Sequence, residues 1–189
     1  MSLARSIALC RAPLPAFAVV GIFWGAFAAQ VPDIKQAIGA DDGVFGLTLL
    51  CGALGAVSAM WLAPRIDGVL GVRTMPFAAL GAAAAFQLPG LAPGVAIFAV
   101  AMFLAAGFTG LLDVVMNARV SQIEARHDTA LMNLNHATFS FAYAAAAFSA
   151  GLAREAGVSP PCVFAVLGLI TVAISTRLWM GPDPHDGED

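Results

Sequence analysis

Asp113 and Asn117 stand four residues apart in the run Gly107-Phe-Thr-Gly-Leu-Leu-Asp-Val-Val-Met-Asn117, where nearly every neighbour is apolar. On a helix that spacing puts both side chains on one face. A carboxyl in such a setting can take up and release a proton, and an amide one turn away can hydrogen-bond to it or to a polar solute. A charge inside a membrane span costs about 2.5–3.5 kcal/mol on the insertion scale, so such a group is a functional candidate by default. A second set follows in Asn133, His136, Ser140 and Tyr143, at spacings of three, four and three, which form one polar stripe among Ala, Phe and Leu. Lipid could satisfy none of its hydrogen bonds, so the stripe is expected to face protein or a water-filled cavity. The bland alternative is interhelical glue, with Arg119 as a local partner for the Asp113 pair.

An acid, a histidine and a serine also raise a hydrolytic reading, with Ser140 as nucleophile and His136 as base. No glycine-flanked nucleophile elbow surrounds Ser140 and no oxyanion donor is apparent, so an enzyme is not expected. Cys10, Cys51 and Cys162 are far apart and two lie in apolar runs, which offers neither a disulfide framework nor a metal site; no cofactor is expected.

The elements that must position these residues follow from composition. Of 189 residues, 60% are hydrophobic and only 11% charged, against about 25% charge in a typical soluble domain. Mean hydropathy is +0.85. The net charge of −3 and the scattered basic residues exclude a phosphate-neutralising stripe, and with it nucleic acid as a partner. Six apolar segments, 14–31, 44–63, 75–91, 94–116, 130–153 and 162–180, are each roughly long enough to span a bilayer. Charged residues and prolines punctuate them: Asp33, Lys35, Asp41 and Asp42, then Arg65, Asp67 and Arg73, then Pro89 and Pro93. Glu124 to Asp128, then Arg154, Glu155, Pro160 and Pro161, mark the later breaks.

Counting Lys and Arg on alternate sides puts Arg5, Arg11, Arg65, Arg73, Arg119, Arg126 and Arg177 on one side and only Lys35 and Arg154 on the other. The positive-inside rule then places both termini in the cytoplasm, in a bacterial inner membrane. Gly21, Gly25 and Ala29, and Gly52, Gly55 and Ala59, have the small-residue spacing that lets helices approach closely in lipid. Residues 181–189 are acidic and rich in Gly and Pro, and read as a disordered tail.

The Asp113–Asn117 run, with Met132-Asn-Leu-Asn-His136-Ala-Thr-Phe-Ser140-Phe after it, resembles the fourth and fifth helices of major facilitator superfamily transporters, closest to the fucose permease-like sugar/proton symporters. Phe23-Trp-Gly25 through Lys35, and Gly52-Ala-Leu-Gly55, resemble that group's first two helices, so the resemblance covers essentially the whole chain.

The resemblance implies an all-α membrane fold of six transmembrane helices, as two inverted three-helix repeats with spans one and four lining a cavity. It implies a proton-coupling role for Asp113 and solute contacts for Asn117 and His136, with Asn133, Ser140 and Tyr143 beside them on the stripe. Asp33 lies near a second acid of the permeases, one residue out of register. The superfamily's loop between helices two and three survives in part as Arg65, Asp67, Gly71 and Arg73, a candidate gating loop with stretched spacing.

Transporters of this kind have twelve helices in two halves. The chain reads as the N-terminal half, ending where the central cytoplasmic loop would begin. It is expected to carry a small polar solute, such as a sugar, with protons, as a homodimer or with a separately encoded C-terminal half. The alternative is a non-transporting membrane fragment or assembly subunit.

Overall fold

The computed structural model describes residues 2–179, and those residues form helices and turns with no strand among them. The expected tail at 181–189 lies outside the described residues. A short surface helix α1 (Leu3–Leu9) leads into α2 (Pro13–Ala37), which starts on proline, where a missing N–H costs nothing. Asp41 caps α3 (Asp42–Leu70), its Oδ1 accepting from the Val44 N–H at 2.8 Å. Lys35 near the end of α2 pairs with Asp42 at the start of α3.

After α3 a 3₁₀ turn (Gly71–Arg73) leads to α4 (Thr74–Ala85) and the short α5 (Gln87–Leu91). Then come α6 (Val95–His127), α7 (Met132–Glu155) and α8 (Pro160–Ser175). Gly157, at φ +79°, supplies the left-handed residue that ends α7.

Three helical stretches are long and apolar enough to cross a membrane: Pro13–Ala37, the broken run Asp42–Leu91, and Val95–His127. Pro160–Ser175 is apolar but shorter. The polar stripe dilutes the hydropathy of α7.

The segment read as a gating loop is largely helix. Arg65 and Asp67 sit inside α3, which runs six residues past Pro64. The turn before that proline receives a hydrogen bond from Arg65, whose Nη1 donates to the Trp61 carbonyl at 3.2 Å while its guanidinium lies 4.3 Å from the Trp61 ring centroid. Gly71, at φ +54°, ends the helix.

The most extensive packing joins α2 to α7 and α3 to α6, with α4 against α6 and α8. Both main pairs rest on glycine. A Cβ on Gly25 would lie 2.2 Å from the Tyr143 carbonyl oxygen of α7, and one on Gly55 would lie 2.1 Å from the Phe103 carbonyl oxygen of α6. Backbone thus meets backbone, as the four-residue spacing suggested.

An aromatic cluster fills the space between the pairs: Phe23 stacks on Phe86 at 4.7 Å, and Phe98 stacks on Phe45 at 5.5 Å and on Phe27 at 6.5 Å. Gln87 ties α5 to α8, its Nε2 donating to the Ala83 and Phe164 carbonyls, both at 2.9 Å.

One cap comes from an unexpected place. The N-terminus of α7 has no capping side chain of its own, and Glu124 of α6 reaches across the connection so that its Oε1 accepts from the Leu131 and Met132 N–H groups. A carboxylate there satisfies orphan donors and complements the helix dipole. Glu124→Ala is expected to cost about 1–2 kcal/mol, as loss of a cap does, read as a lower unfolding temperature in detergent; an unchanged midpoint would show that the cap contributes nothing.

Candidate functional site

Asp113 and Asn117 are both half-buried on α6 and meet as their spacing requires. Asn117 Nδ2 donates to the Asp113 carbonyl at 2.8 Å and to its Oδ1 at 3.1 Å. His136 of α7 packs its ring edge-on against Phe17 of α2, with centroids 5.1 Å apart. Asp113 and Asn117 of α6, with His136 of α7, form the candidate cluster.

Arg119 does not join it. Its Nη2 donates to both carboxylate oxygens of Asp67, at 2.8 and 3.0 Å, across the α3–α6 seam. The local Asp113, six residues away, gives way to a carboxylate 52 residues distant.

The stripe on α7 lies on the open side of the described bundle. Asn133, His136 and Ser140 are exposed and Tyr143 is half-buried. Ser140 Oγ donates to the His136 backbone carbonyl at 3.0 Å and not to the imidazole, so the pair does not form a nucleophile–base arrangement. Arg73 leans toward Trp179, its guanidinium 6.0 Å from the ring centroid. Asp33 is half-buried in α2, with no hydrogen bond or ion pair to another described residue.

A cavity of about 390 Å³ opens between α2, α3, α6 and α7. Its wall includes Trp24 and Phe27, Gly52 and Ala56, Met102 and Ala106, and Tyr143. Ala106 and Asp113 are seven residues apart on one face of α6, a separation of about 10 Å along the axis. Tyr143 and His136 stand in the same relation on α7. The titratable cluster thus lies about two helical turns beyond a largely apolar cavity and on the same two helix faces. Among the described residues no group of three or more His, Cys, Asp or Glu could hold a metal ion.

Two buried polar residues escaped the sequence reading. Asn135 is fully buried, its Nδ2 donating to the Leu131 carbonyl at 2.9 Å and to Cys10 Sγ at 3.3 Å. Burial pushes the Cys10 thiol up, against the lowering effect of the Asn135 hydrogen bond and with a smaller push from the Glu124 charge. Such a thiol is a packing group and not a nucleophile. Gln30 is also fully buried and donates to the Ala150 carbonyl at 2.9 Å, beside Arg154, whose Nη1 donates to the Ala29 carbonyl at 3.0 Å. Both contacts tie α2 to α7. The only available signal was an amide off the polar stripe, and periodicity alone does not say which face turns inward.

Comparison with known proteins bears on the class. The chain is 30% identical over 179 residues to a protein of Yersinia pestis named an uncharacterized MFS-type transporter, covering 91% of this chain and 46% of that one. It is 30% identical over 125 residues to an uncharacterized transporter of Sinorhizobium fredii, covering 66% of this chain and 33% of the relative. It is 28% identical over 177 residues to the membrane protein MosC of Rhizobium meliloti, covering 91% and 42%. The chain spans less than half the length of these curated relatives. No protein-family model and no solved structure matches it. The relatives' names and the apolar helices support an integral membrane protein.

Proposed function

We propose that the chain forms the N-terminal six-span half of a major facilitator transporter of the fucose permease-like branch, moving a small polar solute such as a sugar together with protons across the bacterial inner membrane, with both termini cytoplasmic. The observation that carries this reading is the hydrogen-bonded Asp113–Asn117 pair on α6, together with the exposed polar stripe of α7, on a bundle whose exposed surface includes many large apolar side chains. Asp113 is the proton site. Asn117 and His136, with Asn133, Ser140 and Tyr143, offer the hydrogen-bonding groups a polyhydroxyl solute requires, and Trp24 and Tyr143 offer apolar rings against which a sugar face can lie.

The six spans are α2, α3, α4 with α5, α6, α7 and α8, in two inverted three-helix repeats. The packing supports this arrangement: exchanging the first three spans with the last three turns the α2–α7 pair into the α6–α3 pair and returns the contact between α4 and α8 to itself. The cavity receives residues from α3 and α7 as well as from α2 and α6, the first and fourth spans. A second six-span unit, from another copy of the chain or from a C-terminal half, covers the open side and completes the solute path. The end of α3 and the 3₁₀ turn after it, with Arg65, Asp67, Gly71 and Arg73, govern closure at the cytoplasmic end, with Asp67 held by Arg119.

Uptake of a panel of sugars and small organic acids into proteoliposomes tests the reading, with the protein alone, with any co-encoded six-span partner, and with Asp113→Asn. The expected result is uptake driven by an inward proton gradient that falls to the level of empty vesicles, or ceases to respond to the gradient, in the variant. No uptake under any condition by correctly inserted protein overturns the transport reading.

A further inference from the structure

At the end of the bundle where α1 meets the C-terminal end of α8, a cleft of about 610 Å³ is lined by Ile7, Ala8, Arg11, Leu14, Pro15, Thr176, Arg177 and Trp179. Two guanidinium groups thus share one concave surface whose lining, among the described residues, holds no acidic side chain. Neither Arg11 nor Arg177 forms an ion pair or hydrogen bond through its side chain with another described residue. Arg73, over the Trp179 ring, adds a third cation nearby.

The rest of the lining suits a membrane–water boundary. Helix α1 buries none of its residues, Leu3 and Ile7 are 65% and 47% exposed, and Trp179 is 51% exposed. Tryptophan favours the headgroup level, and a short helix with exposed Leu and Ile beside arginines suits the interfacial plane.

We propose that this cleft binds the phosphodiester headgroup of an anionic phospholipid. Arg11 and Arg177 hold the phosphate, while Ile7, Leu14 and Trp179 lie against the glycerol and the first acyl carbons. Basic pockets between spans are a recurring solution for such headgroups. The site fastens α1 to α8 through the lipid and is separate from the cluster around Asp113.

The test is native mass spectrometry of the full-length detergent-purified protein titrated with phosphatidylglycerol, phosphatidylcholine or inorganic phosphate. Each arginine is expected to strengthen binding about fivefold, so Arg11→Gln with Arg177→Gln weakens phosphatidylglycerol binding about thirtyfold. Arg5→Gln, a charge change on α1 outside the cleft, leaves it within about twofold of wild type, and unfolding midpoints in lipid-free detergent verify that the variants fold.

Three results would overturn the proposal. The first is equal retention of phosphatidylglycerol by wild type and the double variant, or equal retention of the neutral lipid. The second is displacement of the lipid by millimolar phosphate, which would assign the cleft to a soluble anion. The third is lipid binding that appears only after Asp183, Asp186, Glu188 and Asp189 are neutralised, which would assign the arginines to the chain's own acids.

Discussion

Placing a methyl group on Gly55 is expected to destabilise the protein strongly, by about 3 kcal/mol. The new Cβ would lie 2.1 Å from the Phe103 carbonyl oxygen and 2.9 Å from its carbonyl carbon, and both belong to backbone that cannot rotate away. Relief requires moving α3 away from α6 along the whole seam. Overpacking of a tight core costs about 1–3 kcal/mol and sometimes more, and a clash with backbone belongs at the upper end. Gly25→Ala meets the Tyr143 carbonyl oxygen at 2.2 Å and should behave alike on the other helix pair.

Gly151→Ala provides the contrast. It also lies within a helix, but its Cβ would meet nothing within 4 Å. There the ordinary gain in helix propensity, about 1 kcal/mol, should leave stability unchanged or raised. Unfolding temperatures in one detergent would separate the cases. A Gly55→Ala protein as stable as wild type would mean that the α3–α6 seam is looser than described.

Removing Arg119 should be the most damaging change to a charge. Arg119→Met leaves the Asp67 carboxylate without its arginine partner, and the two side chains are only 15% and 25% exposed, so water replaces the lost bonds poorly. A hydrogen bond to a charged group contributes about 1.5–3 kcal/mol net, and a loss of about 2 kcal/mol is expected. Replacing both members, Asp67→Asn with Arg119→Met, should recover part of that loss because no lone charge remains. The cycle of single and double variants should give a coupling of about 1–2 kcal/mol; strictly additive effects would show that the ion pair does not hold the two helices together.

The sequence showed local relations far better than distant ones. The Asp113–Asn117 contact was legible because helix geometry fixes residues four apart, and the glycine seams because nothing but a small side chain allows such an approach in lipid. The helical, membrane-embedded character followed from composition.

Other features depend on where separate elements meet, which no periodicity encodes. Arg119 pairs with Asp67 and not with Asp113. Glu124 caps a helix it does not belong to. Asn135 turns inward while Asn133, two residues away, remains exposed. The second apolar segment was read as 44–63, whereas α3 continues through Asp67 to Leu70. The extent of the Asp113 cluster was legible along each helix, but the approach of Phe17 to His136 from α2 was not.

The lengths of α3 and α6 carry a further consequence. At 29 and 33 residues they measure about 44 and 50 Å, against a hydrocarbon thickness of about 30 Å. Joined along a glycine seam and pinned by Asp67 and Arg119, they must overhang the oily layer together as a twin-helix pier standing in the headgroups. A thicker or thinner bilayer can then be met by raising or lowering the waterline on the pier, without distorting the seam within it.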